Sequence, residues 1–298
     1  MATNATGTFV KGIASNNGNL YVMLNSKLQQ VDLTLGTYTD KGALPNDNLV
    51  YPVTYGKYTI LLSGGVPYVY DGTTLSAVTT YVSGSKPRFG VTFANFTWMA
   101  GGDTYSNILY ISRPTTAANP EYCYDFTGSG ADSLILKSNI EALAVTLDRI
   151  FIFQEDRIEW LSRSSYVTIA GSLKWTPNPF ATGEQIASPT SPIVVGDKVL
   201  YLTKAKKIKA INYAVGVDQV EISNISDDPV TGINDFMDSL DDDQSQAYGF
   251  YDSVAKQAKW YVKSRGSTVN DLVLIYDLVA KTFLVDNNKF FSCVTTYN

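Results

Sequence analysis

Short runs of Val, Ile, Leu, Tyr, Phe and Thr recur along the whole chain, broken by Asn-Gly, Gly-Gly, Asp-Gly and Pro. β-branched and aromatic side chains suit a pleated surface and the breaking residues suit tight turns, so the pattern reads as strands joined by hairpins. In the first unit, residues 9–14, 20–24, 28–32 and 36–39 make four predicted strands, with turns at Asn16-Asn17-Gly18-Asn19 and Ser26-Lys27. Similar units follow around apolar strands at residues 58–62, 97–100, 149–153, 198–202 and 259–262. From Leu20 to Trp260 these anchoring strands step by about 48 residues on average, within the range of a four-stranded propeller blade. The pattern predicts an all-β fold, a β-propeller of about six mostly four-stranded blades. Repeated sheets that cannot bury both faces alone share one closed assembly, so residues 1–298 are expected to form a single propeller domain.

Three segments repeat more closely. Asp32-Leu33-Thr34-Leu35-Gly36-Thr37-Tyr38 and Asp277-Leu278-Val279-Ala280-Lys281-Thr282-Phe283 each place Asp at a turn and Thr plus an aromatic at the restart of a strand, and Asp71-Gly72-Thr73-Thr74 is a shorter version. Asp suits the position because its carboxylate accepts backbone N–H bonds within the turn. One segment departs from strand alternation: Ile233, Phe236, Met237 and Leu240 fall at i, i+3, i+4 and i+7 between polar residues. That spacing predicts one short amphipathic helix near residues 232–241, about two to three turns long, packed on the outside of the β domain. Residues 138–143 read equally as helix or strand.

Composition narrows the chemistry. There is no His, whereas Tyr reaches 20, Phe 13 and Trp 4. Without imidazole, Ser-His-Asp and Cys-His nucleophile systems, two-His zinc sites and imidazole proton relays are excluded. Carboxylates, Lys, Tyr or Ser remain available, so the count favours a non-enzyme without proving it. Cys123 and Cys293 are expected to be reduced thiols and do not supply a zinc site of the usual Cys/His kind. No basic stretch followed by an apolar one opens the chain and no run is long enough to span a membrane, which points to a soluble protein not exported by a signal peptide. The net charge of −5 argues against a protein that wraps nucleic acid.

Each candidate site has a structural reading beside the functional one. Glu155, Asp156 and Glu159 resemble glycosidase carboxylates in type, but Glu155-Asp156 reads as a hairpin turn between two strands. The acidic run Asp235, Asp238, Asp241, Asp242 and Asp243 is rich in hard oxygen donors, yet lacks the Gly and terminal Glu of an EF-hand and reads as the solvated face and end of a helix. Lys204, Lys206, Lys207 and Lys209 fall at the tip of a predicted hairpin; like charges so close must lie at the surface, as a solvated loop or as a contact for an acidic partner, a neighbouring copy's Asp run or DNA phosphate. These lysines, with Asp238, Asp241, Asp242 and Asp243, are the candidate interaction residues. Gly128-Ser129-Gly130 reads as a turn, since no third Gly or helix follows to form a phosphate loop. The Tyr residues suit either strand and interface packing or a sugar-stacking surface. No catalytic, metal or cofactor residues emerge.

The order of segments carries a resemblance. Val91-Thr92-Phe93-Ala94-Asn95-Phe96-Thr97-Trp98-Met99-Ala100-Gly101-Gly102 is followed by Asn107-Ile108-Leu109-Tyr110-Ile111-Ser112 and Asn119-Pro120-Glu121-Tyr122. Ile140-Glu141-Ala142-Leu143, Ile150-Phe151-Ile152-Phe153 and Arg157-Ile158-Glu159-Trp160-Leu161 come next, then Val194-Val195-Gly196-Asp197-Lys198-Val199-Leu200-Tyr201-Leu202 with Ile208-Lys209-Ala210-Ile211. Ala247-Tyr248-Gly249-Phe250-Tyr251-Asp252, Lys259-Trp260-Tyr261-Val262 and Leu274-Ile275-Tyr276-Asp277 complete the succession. Over residues 18–285 it resembles the β-propeller tail proteins of bacteriophages, the nozzle or tail-hub proteins of short-tailed phages. The resemblance implies a structural virion protein with no catalytic residues and no cofactor. It implies a ring of copies, typically a hexamer, below portal and adaptor proteins and near tail fibres or spikes, with double-stranded DNA as a transient passenger in the lumen. The location implied is the virion tail, after assembly in the host cytoplasm. Such proteins are usually longer, so the resemblance also implies either a minimal version or further chain and inserted domains. The alternative reading is a glycan-binding or glycoside-cleaving propeller.

Overall fold

A computed structural model describes residues 10–46, 48–169, 172–183, 185–213, 220–227 and 233–291. The chain is an all-β propeller of six four-stranded antiparallel blades. Its described residues divide into two compact units, the first running up to Ile140 and including Tyr166–Trp175, the second made of Glu141–Ser165 and residues 176–291.

Unit 1 holds three blades: β1–β4 (Gly12–Asn16, Asn19–Leu24, Lys27–Asp32, Thr37–Ala43), β5–β8 (Tyr51–Tyr55, Tyr58–Leu62, Tyr68–Tyr70, Leu75–Ala77) and β9–β12 (Phe89–Phe93, Phe96–Ala100, Ile108–Ile111, Asp132–Ile135). A 3₁₀ turn, Pro120–Tyr124, lies between β11 and β12. In unit 2 the fourth blade is β13, β14, β15 and β18 (Ile140–Val145, Arg149–Gln154, Arg157–Ser162, Asn178–Thr182). The hairpin β16–β17 (Tyr166–Ile169, Ser172–Trp175) interrupts that blade in sequence but belongs to unit 1. The fifth blade is β19–β22 (Ile193–Val195, Lys198–Leu202, Ile208–Tyr213, Val220–Asn224) and the sixth β23–β26 (Tyr248–Asp252, Gln257–Val262, Asn270–Asp277, Thr282–Phe291).

All six anchoring runs predicted from spacing are the second strands of their blades. Their unbroken apolarity has a geometric cause: alternate side chains face opposite sides of a strand, and in a propeller both sides meet another blade. In β6, Ile60 and Leu62 pack with Val53, Met99 and Tyr110, while Leu61 points the other way, to Tyr21, Met23 and Leu28. In β20, Val199 and Tyr201 pack with Phe151, Phe153 and Ile211, while Leu200 and Leu202 join Trp260, Val262 and Leu274. First strands of neighbouring blades lie side by side, β1 with β5 and β5 with β9 in unit 1, and β19 with β23 in unit 2. Gly249 permits this approach. A Cβ there would fall 2.6 Å from the Ser191 carbonyl oxygen, and the Gly249 N–H donates to the Thr190 carbonyl at 2.7 Å.

The Asp turns form as expected. Asp32 Oδ1 accepts the N–H groups of Thr34 and Leu35 at 2.8 and 3.0 Å, Asp71 Oδ1 those of Thr73 and Thr74 at 2.8 and 2.7 Å, and Asp277 Oδ1 those of Val279 and Ala280 at 2.9 and 2.8 Å. Those backbone bonds favour the ionised carboxylate, holding Asp71 and Asp277 below the ordinary carboxylate range.

Two local expectations are refined. The helix α1 spans only Asn234–Asp238 rather than two to three turns. Its apolar spacing is used as predicted, with Ile233, Met237 and Leu240 buried and Phe236 packed against the same cluster, but Leu240 leaves the helix to bridge Ser264 in antiparallel fashion. In the 138–143 segment, residues 140–143 resolve to strand, as the start of β13, and the two before them are not strand. In unit 1, Trp175 seats the inserted hairpin: its ring meets those of Phe96 and Trp98 edge-on, at centroid distances of 5.6 and 4.9 Å.

Candidate functional site

Strands alternate in direction, so within unit 2 the second-to-third hairpins and the fourth-to-first connections emerge at the same end of the blades. There the fold gathers the charged residues that the sequence singled out. The β20–β21 tip is closed by the Thr203 N–H, which donates to the Lys207 carbonyl at 2.8 Å, and by the Thr203 hydroxyl, which accepts the Lys207 N–H at 3.0 Å. Lys206 occupies the left-handed region, at φ 56°.

The lysines at this tip engage their own unit. Lys204 pairs with Glu141 at the start of β13. Lys206 Nζ donates to Asp242 Oδ1 at 2.8 Å and to the Leu240 carbonyl at 3.3 Å. Lys207 Nζ donates to Asp227 Oδ1 at 2.7 Å and Asn234 Oδ1 at 3.0 Å. Lys209 stands in β21, opposite Tyr201 and Asn224 in the neighbouring strands.

The acidic run completes the lattice. Lys263 Nζ donates to Asp243 Oδ2 at 2.9 Å, and the pair is lopsided: the Lys263 side chain is 7% exposed and that of Asp243 63%. Gln244 ties the same segment to the Lys263 backbone through bonds of 2.8 and 3.0 Å. Hydrogen bonding by Ser245, together with Lys263, pulls Asp243 down to about 2. Asp242 is lowered by its bond to Lys206, and Asp241 by the N–H groups of Asp243 and Gly266. Asp238 ends α1, and its backbone carbonyl accepts from Arg265 Nη2 at 2.7 Å. Thus the predicted Lys and Asp clusters are brought together, with Glu141, Asp227, Lys263 and Arg265 added from elsewhere in the unit. Ion-paired cations and depressed carboxylates suit a fixed surface; general acid chemistry needs a carboxyl group raised toward neutrality.

Other sequence candidates occupy structural positions. Glu155 and Asp156 form the β14–β15 turn, where Asp156 pairs with Arg157 at 2.7 Å, and Glu159 is buried opposite Ile152. Gly128 belongs to the turn capped by Asp125, whose Oδ1 accepts its N–H at 3.0 Å. Most Tyr rings for which contacts are resolved pack inward, as in Tyr21–Tyr70 and Phe153–Tyr201. Cys123 is a buried free thiol pushed up to about 12 by burial, while Cys293 lies outside the described residues. Among the described residues no group of three or more His, Cys, Asp or Glu is placed to hold a metal ion. Among the described residues no helix is long and apolar enough to cross a membrane.

One buried ionic feature escaped the sequence reading. Arg149 is 2% exposed, with its guanidinium carbon 4.1 Å from the centre of the Trp160 ring and 4.8 Å from that of Tyr213. Asp148 lies 3.8 Å from its Nε, and burial raises the Tyr213 hydroxyl to about 12. The only local signal was an Arg heading the apolar strand Ile150-Phe151-Ile152-Phe153; the aromatic partners come from β15 and β21.

No family model matches the chain, and no curated protein does. Among solved structures it is similar to the crystal structure of the computationally designed Ika8 protein, with a TM-score of 0.53 and 10% identity over 95% of this chain and 76% of that one. At that identity the likeness is one of fold alone.

Proposed function

We propose that this propeller is a structural protein of a bacteriophage tail, a nozzle or hub subunit that assembles as a ring, typically a hexamer, through which the genome passes, and that it is not an enzyme. The observation that carries the reading is the ion-paired loop end of unit 2. Proteins grip DNA by using Lys and Arg to release the counterions of its phosphates, and a conduit must avoid that grip. Here Lys204, Lys206, Lys207 and Lys263 each engage a carboxylate of their own chain. The net charge of −5 acts in the same direction, and the order of strand segments resembles that of phage tail propellers. In this reading the protein sits below portal and adaptor proteins, next to fibres or spikes, and DNA is only a passenger.

Electron microscopy of the purified protein and of the particle that contains it tests the proposal. A ring in a tail is expected; monomers with no place in a virion overturn it. The glycan reading has less to rest on, because Asp156 serves a turn and Glu159 is buried. Reducing-sugar release that is abolished by Glu159→Gln or Asp156→Asn would reinstate it.

A further inference from the structure

The sixth blade carries one short motif twice. Asp252-Ser253-Val254-Ala255-Lys256 closes the β23–β24 hairpin and Asp277-Leu278-Val279-Ala280-Lys281 closes β25–β26. Both turns have the same construction. Asp252 Oδ1 accepts the N–H groups of Val254 and Ala255 at 3.1 and 2.9 Å, as Asp277 does for Val279 and Ala280. The turns adjoin, since the Leu278 N–H donates to the Lys256 carbonyl at 3.1 Å. Their tips present Val254, 93% exposed, and Val279, 78% exposed, and the outer strand adds the exposed Leu284 and Val285.

The lysines are the informative residues. Lys256 and Lys281 sit at φ 56° and 54°, a backbone region that favours glycine; the corresponding turn of the first blade has Gly36, at φ 66°. The fold therefore does not need lysine at either place. Among the described residues neither ammonium group has an ion-pair partner, in contrast to Lys259 in the same blade, which holds Asp252 at 2.7 Å.

We infer that this twin-turn tip is an assembly surface that docks on a second copy of the chain, its valines covered and its two lysines meeting carboxylates there. This deepens the ring reading and rests on it. A second copy carries an excess of carboxylates, 28 Asp and Glu against 23 Lys and Arg, to meet them. Two tips facing each other would set lysine against lysine, so the contact joins this tip to a different patch of the next copy, the head-to-tail arrangement that closes into rings.

Sedimentation velocity of the full chain tests it. The wild type is expected at a multiple of 32.6 kDa. Val254→Asp/Val279→Asp and, separately, Lys256→Glu/Lys281→Glu are expected to weaken self-association at least tenfold with unchanged circular dichroism and melting temperature. Carbodiimide coupling of mixed isotope-labelled and unlabelled chains should join Lys256 or Lys281 to a carboxylate of another chain. A ring unaffected by both double variants overturns this surface and leaves the ring reading standing. A wild type that stays monomeric overturns this surface, and the ring reading falls with it where the particle holds no ring of this chain.

Discussion

The Asp243–Lys263 pair should respond unequally to loss of its two halves. Asp243→Ala strands an ammonium group whose side chain is 7% exposed, whereas Lys263→Met leaves a carboxylate that is 63% exposed and still bonded to the Ser245 N–H at 3.0 Å. Lowering Asp243 from 3.8 to about 2 corresponds to roughly 2.5 kcal/mol at about 1.4 kcal/mol per unit. Solvent screening of so exposed a side chain reduces that to about 1 kcal/mol. The stranded ammonium adds to it, so Asp243→Ala should destabilise by about 2–3 kcal/mol and Lys263→Met by less than about 1 kcal/mol. Adding Lys263→Met to Asp243→Ala should restore stability. Urea titrations that follow buried Trp260, in the same unit, read each variant. The folded-state value lies below the unfolded one, so the stabilisation is complete above about pH 4–5 and is lost as pH falls through about 2. The gap between wild type and Asp243→Ala should close over that window. Equal losses for the two single variants, a double variant weaker than Asp243→Ala, or a gap that persists at pH 2 would refute the reasoning.

Trp175→Ala removes the ring that meets Phe96 and Trp98 and should destabilise unit 1 by about 3–5 kcal/mol in urea titrations, with Trp175→Phe recovering part of it. Gly249→Ala pushes a Cβ to 2.6 Å from the Ser191 carbonyl and should lower stability by about 1–3 kcal/mol or more, measured the same way. Lys281→Gly relieves a left-handed lysine and should raise the urea midpoint by about 0.5–1 kcal/mol equivalent, with self-association weakened if the twin-turn tip is an interface. With Cys293→Ser in place, Cys123 should resist iodoacetamide at pH 8 in the native protein and react on unfolding, because burial holds its thiol at about 12.

Much of the blade architecture was legible because its causes are local. Alternation along a strand and the capping chemistry of Asp in a turn operate over a few residues, so Leu61, Leu200 and Asp277 announce their roles from their neighbours alone. The helix was half legible. Its apolar spacing marked Ile233, Met237 and Leu240 as buried, but its end was set by the bridge between Leu240 and Ser264, which no periodicity contains. The charged site was legible as two clusters and not as one lattice.

By itself, then, the sequence determined the all-β class, the step between blades, the second strand of each and the Asp turns. Only the tertiary structure decided which charges neutralise one another, that Arg149 lies between Trp160 and Tyr213, and that the hairpin ending at Trp175 packs in unit 1 although it interrupts a blade of unit 2. Backbone pattern is written in near neighbours. Partners such as Lys263 and Asp243, or Lys204 and Glu141, meet only once stacked blades bring distant loops to the same end of the strands.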